Sequence, residues 1–146
     1  MKISTKGRYA LRTMIDLAQH QQPDTLVYIP LKEIAQRQRI ELKYLEQIVA
    51  LLKKAGLIQG VRGSNGGYRL VRAPEEYTAL EILQVTEGSL APVACLDTPT
   101  NLCPRRGECQ TLPFWNAFAQ QINDFLGSWT LADFLTTPPE ALPPLT

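Results

Sequence analysis

The sequence predicts a mainly α-helical chain with one small β-hairpin and a long helix near the C-terminus. Three observations predict it. A short helix, a tight turn and a longer amphipathic helix fit between Leu31 and Ala55. Two short alternating segments flank the glycine-rich tip GSNGG directly afterwards. Behind Pro113, the residues Trp115, Phe118, Ile122, Phe125 and Trp129 follow at steps of 3, 4, 3 and 4. The first two observations together describe a winged helix-turn-helix, and the third is coiled-coil spacing. The chain then divides into a winged helix-turn-helix over 1–73, a cysteine loop with a dimerisation region over 74–136, and a disordered tail over 137–146.

At 146 residues the chain is one ordinary domain with a small appendage, and 45% apolar content supports a real core. No apolar run approaches the roughly 18 residues that span a membrane. The amphipathic start MKISTKGRYALRTMIDLAQH lacks the continuous apolar core of a signal peptide. A cytoplasmic protein without membrane contact is expected. In that compartment a stable disulfide is disfavoured. The net charge of +1 hides an asymmetry: residues 1–72 hold 13 Lys/Arg against 5 Asp/Glu, and residues 73–146 hold 2 against 9. A basic half points to a polyanion partner, although charge segregation also serves solubility.

The first helix is expected over residues 3–19, with Ala10, Leu11, Met14, Leu17 and Ala18 on its apolar face. Lys2, Lys6, Arg8 and Arg12 crowd its start, where the helix dipole favours anions. Either a bound phosphate resolves that conflict, or the turn is simply solvated. After a loop broken by Pro23, Leu31, Ile34 and Ala35 mark the short helix, and the chain turns near Gln38–Ile40. The longer helix runs from Glu41 to Ala55 with Leu42, Leu45, Ile48, Val49 and Leu52 buried, and Gly56 is placed for a left-handed C-terminal cap. Its exposed face begins with Glu41, Lys43, Tyr44 and Gln47.

The hairpin spans Leu57–Val71, with Gly63, Ser64, Asn65, Gly66 and Gly67 at the tip, Arg62 beside it, and Arg69 and Arg72 on the return strand. GSNGG is not a nucleotide phosphate loop, because it lacks the GK[ST] ending and no helix follows. A duplex DNA partner suits this set. Lysine and arginine supply counterion-release affinity. Gln47 and Arg62 are able to contact adenine or guanine edges bidentately. Glu41 either accepts from cytosine N4 or is an ordinary helix-start carboxylate. Tyr44 either packs on sugar and phosphate or covers the core. Lys6 and Arg8 at the first helix, and Ser64 and Asn65 at the tip, complete the candidate DNA-binding residues.

In the acidic half, Pro74 ends the hairpin, and Thr78-Ala-Leu-Glu81 fits a capping box opening a helix through Val85, closed by Gly88. Ser89 to Leu112 shows no element, and a loop of that length needs a reason such as a ligand or a partner. Pro113 takes a favoured first helical position. The aromatic face behind it packs either on its own domain or on a second copy, and its aromatic load favours dimerisation through Trp115, Phe118, Ile122, Phe125 and Trp129. Thr130 to Asp133 starts a last short helix.

The stretch CLDTPTNLCPRRGEC contains every cysteine of the chain: Cys95, Cys103 and Cys109. Three thiolates suit soft metals and iron–sulfur iron, and Arg105 and Arg106 favour the thiolate form. A zinc knuckle would use C-x2-C, which is absent. An iron–sulfur cluster, a metal-free thiol switch, zinc, or no role at all remain open on the residues alone. His20 reads as a C-terminal helix cation rather than a ligand. No Ser/His/Asp or Cys/His constellation supports an enzyme.

The segments MKISTKGRYALRTMIDLA, LEQIVALLKKAGLIQGVRGSNGGYRL and TALEIL, with the cysteine loop, the aromatic helix and TLADFL, resemble the Rrf-type winged-helix transcription regulators, including the IscR and NsrR types. The resemblance covers about residues 1–136. It implies a homodimeric regulator with recognition helix Glu41–Ala55, wing Leu57–Val71 and dimer helix Pro113–Gly127. It also implies DNA contact by Glu41, Lys43, Tyr44, Gln47 and Arg62, and an iron–sulfur cluster on Cys95, Cys103 and Cys109, [2Fe–2S] in preference to [4Fe–4S]. The chain departs from the pattern in three places. Its loop reads C-x7-C-x5-C instead of C-x5-C-x5-C. Leu112 stands where IscR-type members have a histidine ligand, and Arg8 where NsrR-type members have an aspartate. The fourth ligand is therefore open: Asp97, Glu108, a partner-chain group or a small molecule. The alternative to operator binding controlled by this loop is a winged-helix protein-interaction module, or a regulator without a cofactor.

Overall fold

A computed structural model describes residues 1–141. The elements run α1 (Thr5–His20), α2 (Leu31–Gln38), α3 (Leu42–Lys54), β1 (Ile58–Val61), β2 (Gly67–Leu70), α4 (Ala79–Glu87), α5 (Leu112–Ser128) and α6 (Leu131–Thr136), with single helical turns at Pro74–Glu76, Ala94–Leu96 and Pro139–Ala141. The expected architecture is present: mostly helical, with one antiparallel two-stranded hairpin. The expected tail begins at 137; its residues 142–146 lie outside the described residues. No described helix is long and apolar enough to cross a membrane.

The core is built where the apolar stripes meet. Ala10, Met14 and Leu17 of α1, Ile34 of α2, and Leu45, Ile48, Val49 and Leu52 of α3 are all buried, and they meet Ile58 and Leu70 of the hairpin and Ile82 of α4. The turn between α2 and α3 passes through Arg39, whose φ of 54° is left-handed. Its cost of roughly 1–2 kcal/mol is offset by the Ile40 N–H bond to Ala35 O (3.0 Å) and by burial of Ile40. Gly56 closes α3 in the left-handed region (φ 77°), as its position predicts.

The hairpin pairs Ile58 with Leu70, Gln59 with Arg69, Gly60 with Tyr68 and Val61 with Gly67. An antiparallel bridge between Ile29 and Tyr68 ties the α1–α2 loop to its outer edge. Its root is anchored by Tyr77, which is completely buried. The Tyr77 hydroxyl donates to Leu57 O (2.7 Å) and accepts from Val71 N (2.9 Å) and Arg72 N (3.1 Å). A buried phenol is acceptable because its hydrogen-bonding capacity is used.

Three sequence expectations change. The α1 start has an internal anion that sequence did not show: Glu87 at the end of α4 accepts from Ser4 N (3.0 Å). Only half of the capping box at α4 forms. Thr78 Oγ1 accepts from Glu81 N (3.2 Å), but the Glu81 carboxylate turns to the Arg72 guanidinium (2.7 Å). A charge-assisted bond to arginine outcompetes a bond to a neutral amide. The helix also continues to Glu87, two residues beyond Val85. The complete capping box lies instead at α6, between Thr130 and Asp133. From there Leu131 N–H bonds to Tyr77 O (3.0 Å), and Trp129 O accepts from Ala79 N (2.8 Å), which returns the chain end to the base of the hairpin.

Candidate nucleic-acid interface and cysteine loop

The cations of the basic half fall into two groups. The first is used inside the protein. Arg12 donates from Nε to Gln38 Oε1 (3.1 Å) and from Nη2 to Gln38 O, and it lies 4.9 Å from the Tyr9 ring centre. Arg37 holds the fully buried Asp16 with two bonds, Nε to Oδ2 (3.0 Å) and Nη2 to Oδ1 (2.8 Å). That pairing raises the pKa of Arg37 above its ordinary value. Arg72 is held by Glu81 and stacks 4.3 Å from the centre of the Tyr77 ring. Arg69 lies over Tyr28 at 5.9 Å, with Nε and Nη1 buried and without a hydrogen-bond partner among the described residues. Arg12, Arg69 and Arg72, which sequence reading counted among the basic patch, thus have internal contacts.

The second group is free. Among the described residues, Lys6, Lys43 and Arg62, like Lys2, Lys32, Arg39, Lys53 and Lys54, make no side-chain hydrogen bond or ion pair, while Arg8 only donates to Thr5 Oγ1 (3.0 Å) within its own turn. Lys43, Arg62 and Arg8 are exposed, and Lys6 is half-buried. Glu41 occupies the N-cap of α3 without making a side-chain cap bond. Glu41, Gln47, Ser64 and Asn65 are also exposed. Tyr44 differs. It is half-buried, packs against the core and meets Tyr9 edge-on, with ring centres 5.9 Å apart.

Sequence reading missed the network that positions this surface. Asp16 accepts from Arg37 and from Gln38 Nε2 (2.9 Å), and His20 Nδ1 stands 2.8 Å from Asp16 O. Gln38 is in turn held by Arg12. The last residue of α2 is thereby fastened to α1 just ahead of the turn that aims α3. The available signal was a lone aspartate inside the apolar run of MIDLA.

The cysteine loop contains only turns and the Ala94–Leu96 helical turn. Cys95, Cys103 and Cys109 are free thiols and half-buried. Cys109 Sγ lies 3.3 Å from Thr111 Oγ1. Its pKa is lowered, chiefly by that hydroxyl, with a smaller contribution from Arg105. Of the two arginines expected to favour the thiolate, Arg105 contributes at Cys109 behind Thr111, and Arg106 donates to Cys103 O (3.1 Å). Asp97 Oδ1 accepts from Ser89 Oγ (2.8 Å), and Glu108 is exposed. The chemistry of the donors fits a thiophilic iron group: three unpaired thiols share one loop. Their placement is open, because no three Cys, His, Asp or Glu side chains converge on a metal-sized site among the described residues.

The α5 helix has no buried residue. Phe114 is 63% exposed, Phe118 42% and Phe125 62%. Phe114 packs against Trp115 (4.8 Å) and Phe118 (6.3 Å) along the same helix. Trp115 and Ile122 are half-buried. Trp129 lies just past the helix end and packs on Phe134 of the same chain (5.1 Å).

Comparison with known proteins agrees with this architecture. The model of the Rrf2 family, described as iron-dependent transcriptional regulator, matches residues 3–137. The Rrf2 protein of Nitratidesulfovibrio vulgaris is 37% identical, over 92% of this chain and 87% of its own. The transcriptional regulator IscR of Vibrio parahaemolyticus is 36% identical, over 93% and 78%. Among solved structures, T. potens IscR superposes with a TM-score of 0.73 at 38% identity, covering 100% of this chain and 94% of that one. CymR, the global cysteine regulator of B. subtilis, gives 0.71 at 37% identity, covering 92% and 95%.

Proposed function

The chain belongs to the Rrf2 family of transcriptional regulators, and from that premise we propose that it acts in the cytoplasm as a homodimer whose operator binding is set by the cysteine loop. Residues 1–73 form the DNA-binding part and residues 74–136 the sensing and dimerisation part. The carrying observation is the division of the cations. Among the described residues Lys43 and Arg62, at the start of α3 and beside the wing tip, are exposed and unpaired, while Arg12, Arg37 and Arg72 are bound internally.

On duplex DNA, α3 enters the major groove with Gln47 and Lys43 near its leading end. Arg62 reaches a guanine edge or a phosphate from the wing, and Ser64 and Asn65 bond to the backbone. Glu41 accepts from cytosine. Lys6 and Arg8 contribute phosphate contacts from α1. A second copy docks on the aromatic face of α5, where Phe118 and Phe125 are exposed in the single chain, and brings a second α3 to a neighbouring groove.

Cys95, Cys103 and Cys109 would hold an iron–sulfur cluster, [2Fe–2S] in preference to [4Fe–4S], with the fourth ligand from Asp97, Glu108, the second copy or a small molecule. Bound there, the group supplies redox-active, oxidant-sensitive chemistry. This chain's own part is to bring the thiols together. Since they do not converge in the single chain, ligation would order the loop next to α5 and shift the population of dimer arrangements. The longer C-x7-C spacing favours a second reading, a metal-free thiol switch.

Purification without oxygen, with iron and sulfide counted per chain, separates the two. Stoichiometric iron and sulfide with absorption near roughly 400 nm supports the cluster. A colourless protein that binds DNA and responds to thiol oxidation supports the switch. A colourless protein with no such response contradicts loop control.

A further inference from the structure

Glu87 is placed unusually for a carboxylate. It is the last residue of α4, the end at which the helix dipole disfavours an anion. Its charge is balanced by a different helix. Glu87 Oε1 accepts from Ser4 N (3.0 Å) and Ser4 Oγ (2.5 Å), and Ser4 Oγ in turn accepts from Gly7 N (3.0 Å) as the N-cap of α1. The first turn of α1 has no acidic residue of its own. Gly7 makes the approach possible, because a Cβ there would come within 2.2 Å of Glu87 Oε1. A contact between residues 83 apart in sequence thus joins two places. One is the basic start of α1, with Lys6 and Arg8. The other is the point where α4 ends at Gly88 (φ 72°) and the cysteine loop begins.

We propose that Glu87 is the positioning residue through which the cysteine loop acts on DNA binding: the Glu87–Ser4 bond makes the placement of the α1 start depend on the loop's departure from α4. This rests on the reading that the loop controls operator affinity. Order in the loop fixes the direction in which the chain leaves Gly88. With Glu87 bound to Ser4, that direction reaches Lys6 and Arg8, whose phosphate contacts depend on where the turn lies. Without the bond, α1 and the loop are joined only through the general packing of α1 on α4.

The test is a double-mutant cycle on the full chain, with duplex affinity read by fluorescence anisotropy under anoxic conditions. The loop is changed by the triple substitution Cys95→Ala, Cys103→Ala and Cys109→Ala. Glu87 is changed to Ala, and separately to Gln, which keeps an acceptor for Ser4 while losing the charge. Thermal unfolding confirms that each variant is folded at the assay temperature. The expected loop effect with Glu87 present is a change in affinity of at least about 5-fold, the lower range of allosteric coupling. With Glu87→Ala it falls below about 2-fold, and with Glu87→Gln it is intermediate. If the loop effect is unchanged in Glu87→Ala, including the case where that variant weakens DNA binding equally in both backgrounds, Glu87 is a structural cap and the proposal is overturned. If the cysteine substitutions have no effect even with Glu87 present, loop control itself fails, and the proposal falls with it for that separate reason.

Discussion

Arg62 and Arg72 are both arginines of the hairpin region, yet their surroundings give them different work. Arg72 is closed in by Glu81 and Tyr77, whereas Arg62 is exposed beside the tip. Replacing Arg62 by alanine is expected to cost about 1–3 kcal/mol of specific binding with little effect on stability, if it reads a guanine edge. Anisotropy titrations with specific and scrambled duplexes check this, since a loss confined to the specific duplex marks base reading. Asp16 has the opposite profile. Asp16→Ala leaves Gln38 Nε2 without its acceptor and Arg37 with only Glu33 (3.4 Å), and should cost about 1.5–3 kcal/mol, in the range of hydrogen bonds to charged groups, discounted because Arg37 still reaches water. Urea unfolding measures it. The sequence displays every arginine alike and does not show which are occupied. Arg12 finds Gln38 at a separation of 26 residues and Arg37 finds Asp16 at 21, and those partners exist only after α1 and α2 have packed.

Helices with strong periodicity and explicit punctuation were legible as elements. The expected α3, Glu41 to Ala55, is the observed Leu42–Lys54 with those two residues as its caps, because Gly56 and the apolar stripe leave little choice. Thr78-x-x-Glu81 was less legible: a local motif cannot reveal that Arg72 claims its carboxylate. The α5 helix shows another limit. Its 3, 4, 3, 4 spacing is compatible with packing on its own domain or on a second copy. In the structure α5 packs on α4 and still leaves Phe114, Phe118 and Phe125 substantially exposed, and aromatic area of that kind marks an interaction surface. Trp129 does not share this exposure and packs on Phe134. The double change Phe118→Asp and Phe125→Asp should therefore yield a monomer with unchanged helix content, read by light scattering and circular dichroism. A Trp129 substitution should instead lower stability. Retained dimerisation in the double variant would remove α5 as the interface.

Over the whole molecule, the charge asymmetry follows the chain order: α1 to the hairpin is basic, and α4 to the end is acidic. The two parts are joined by contacts that sequence order conceals. Tyr77 fastens the hairpin root, Leu131 returns to Tyr77, and Glu87 caps α1. The cysteines were visible from sequence as a candidate sensor, but whether they converge was not: among the described residues they do not, and ligation geometry in a loop depends on the bound group and on neighbouring chains. If two copies meet through α5 and each presents α3 and a wing, the dimer must read DNA with two-fold symmetry. The most direct test is selection of duplexes from a random pool by the full-length protein, followed by sequencing of the bound fraction. The account predicts enrichment of an inverted repeat, with half-sites separated by about one helical turn or a multiple of it, and loss of that enrichment in Arg62→Ala. Recovery of unenriched duplex, or of a single unrepeated motif, would contradict a symmetric operator-binding regulator.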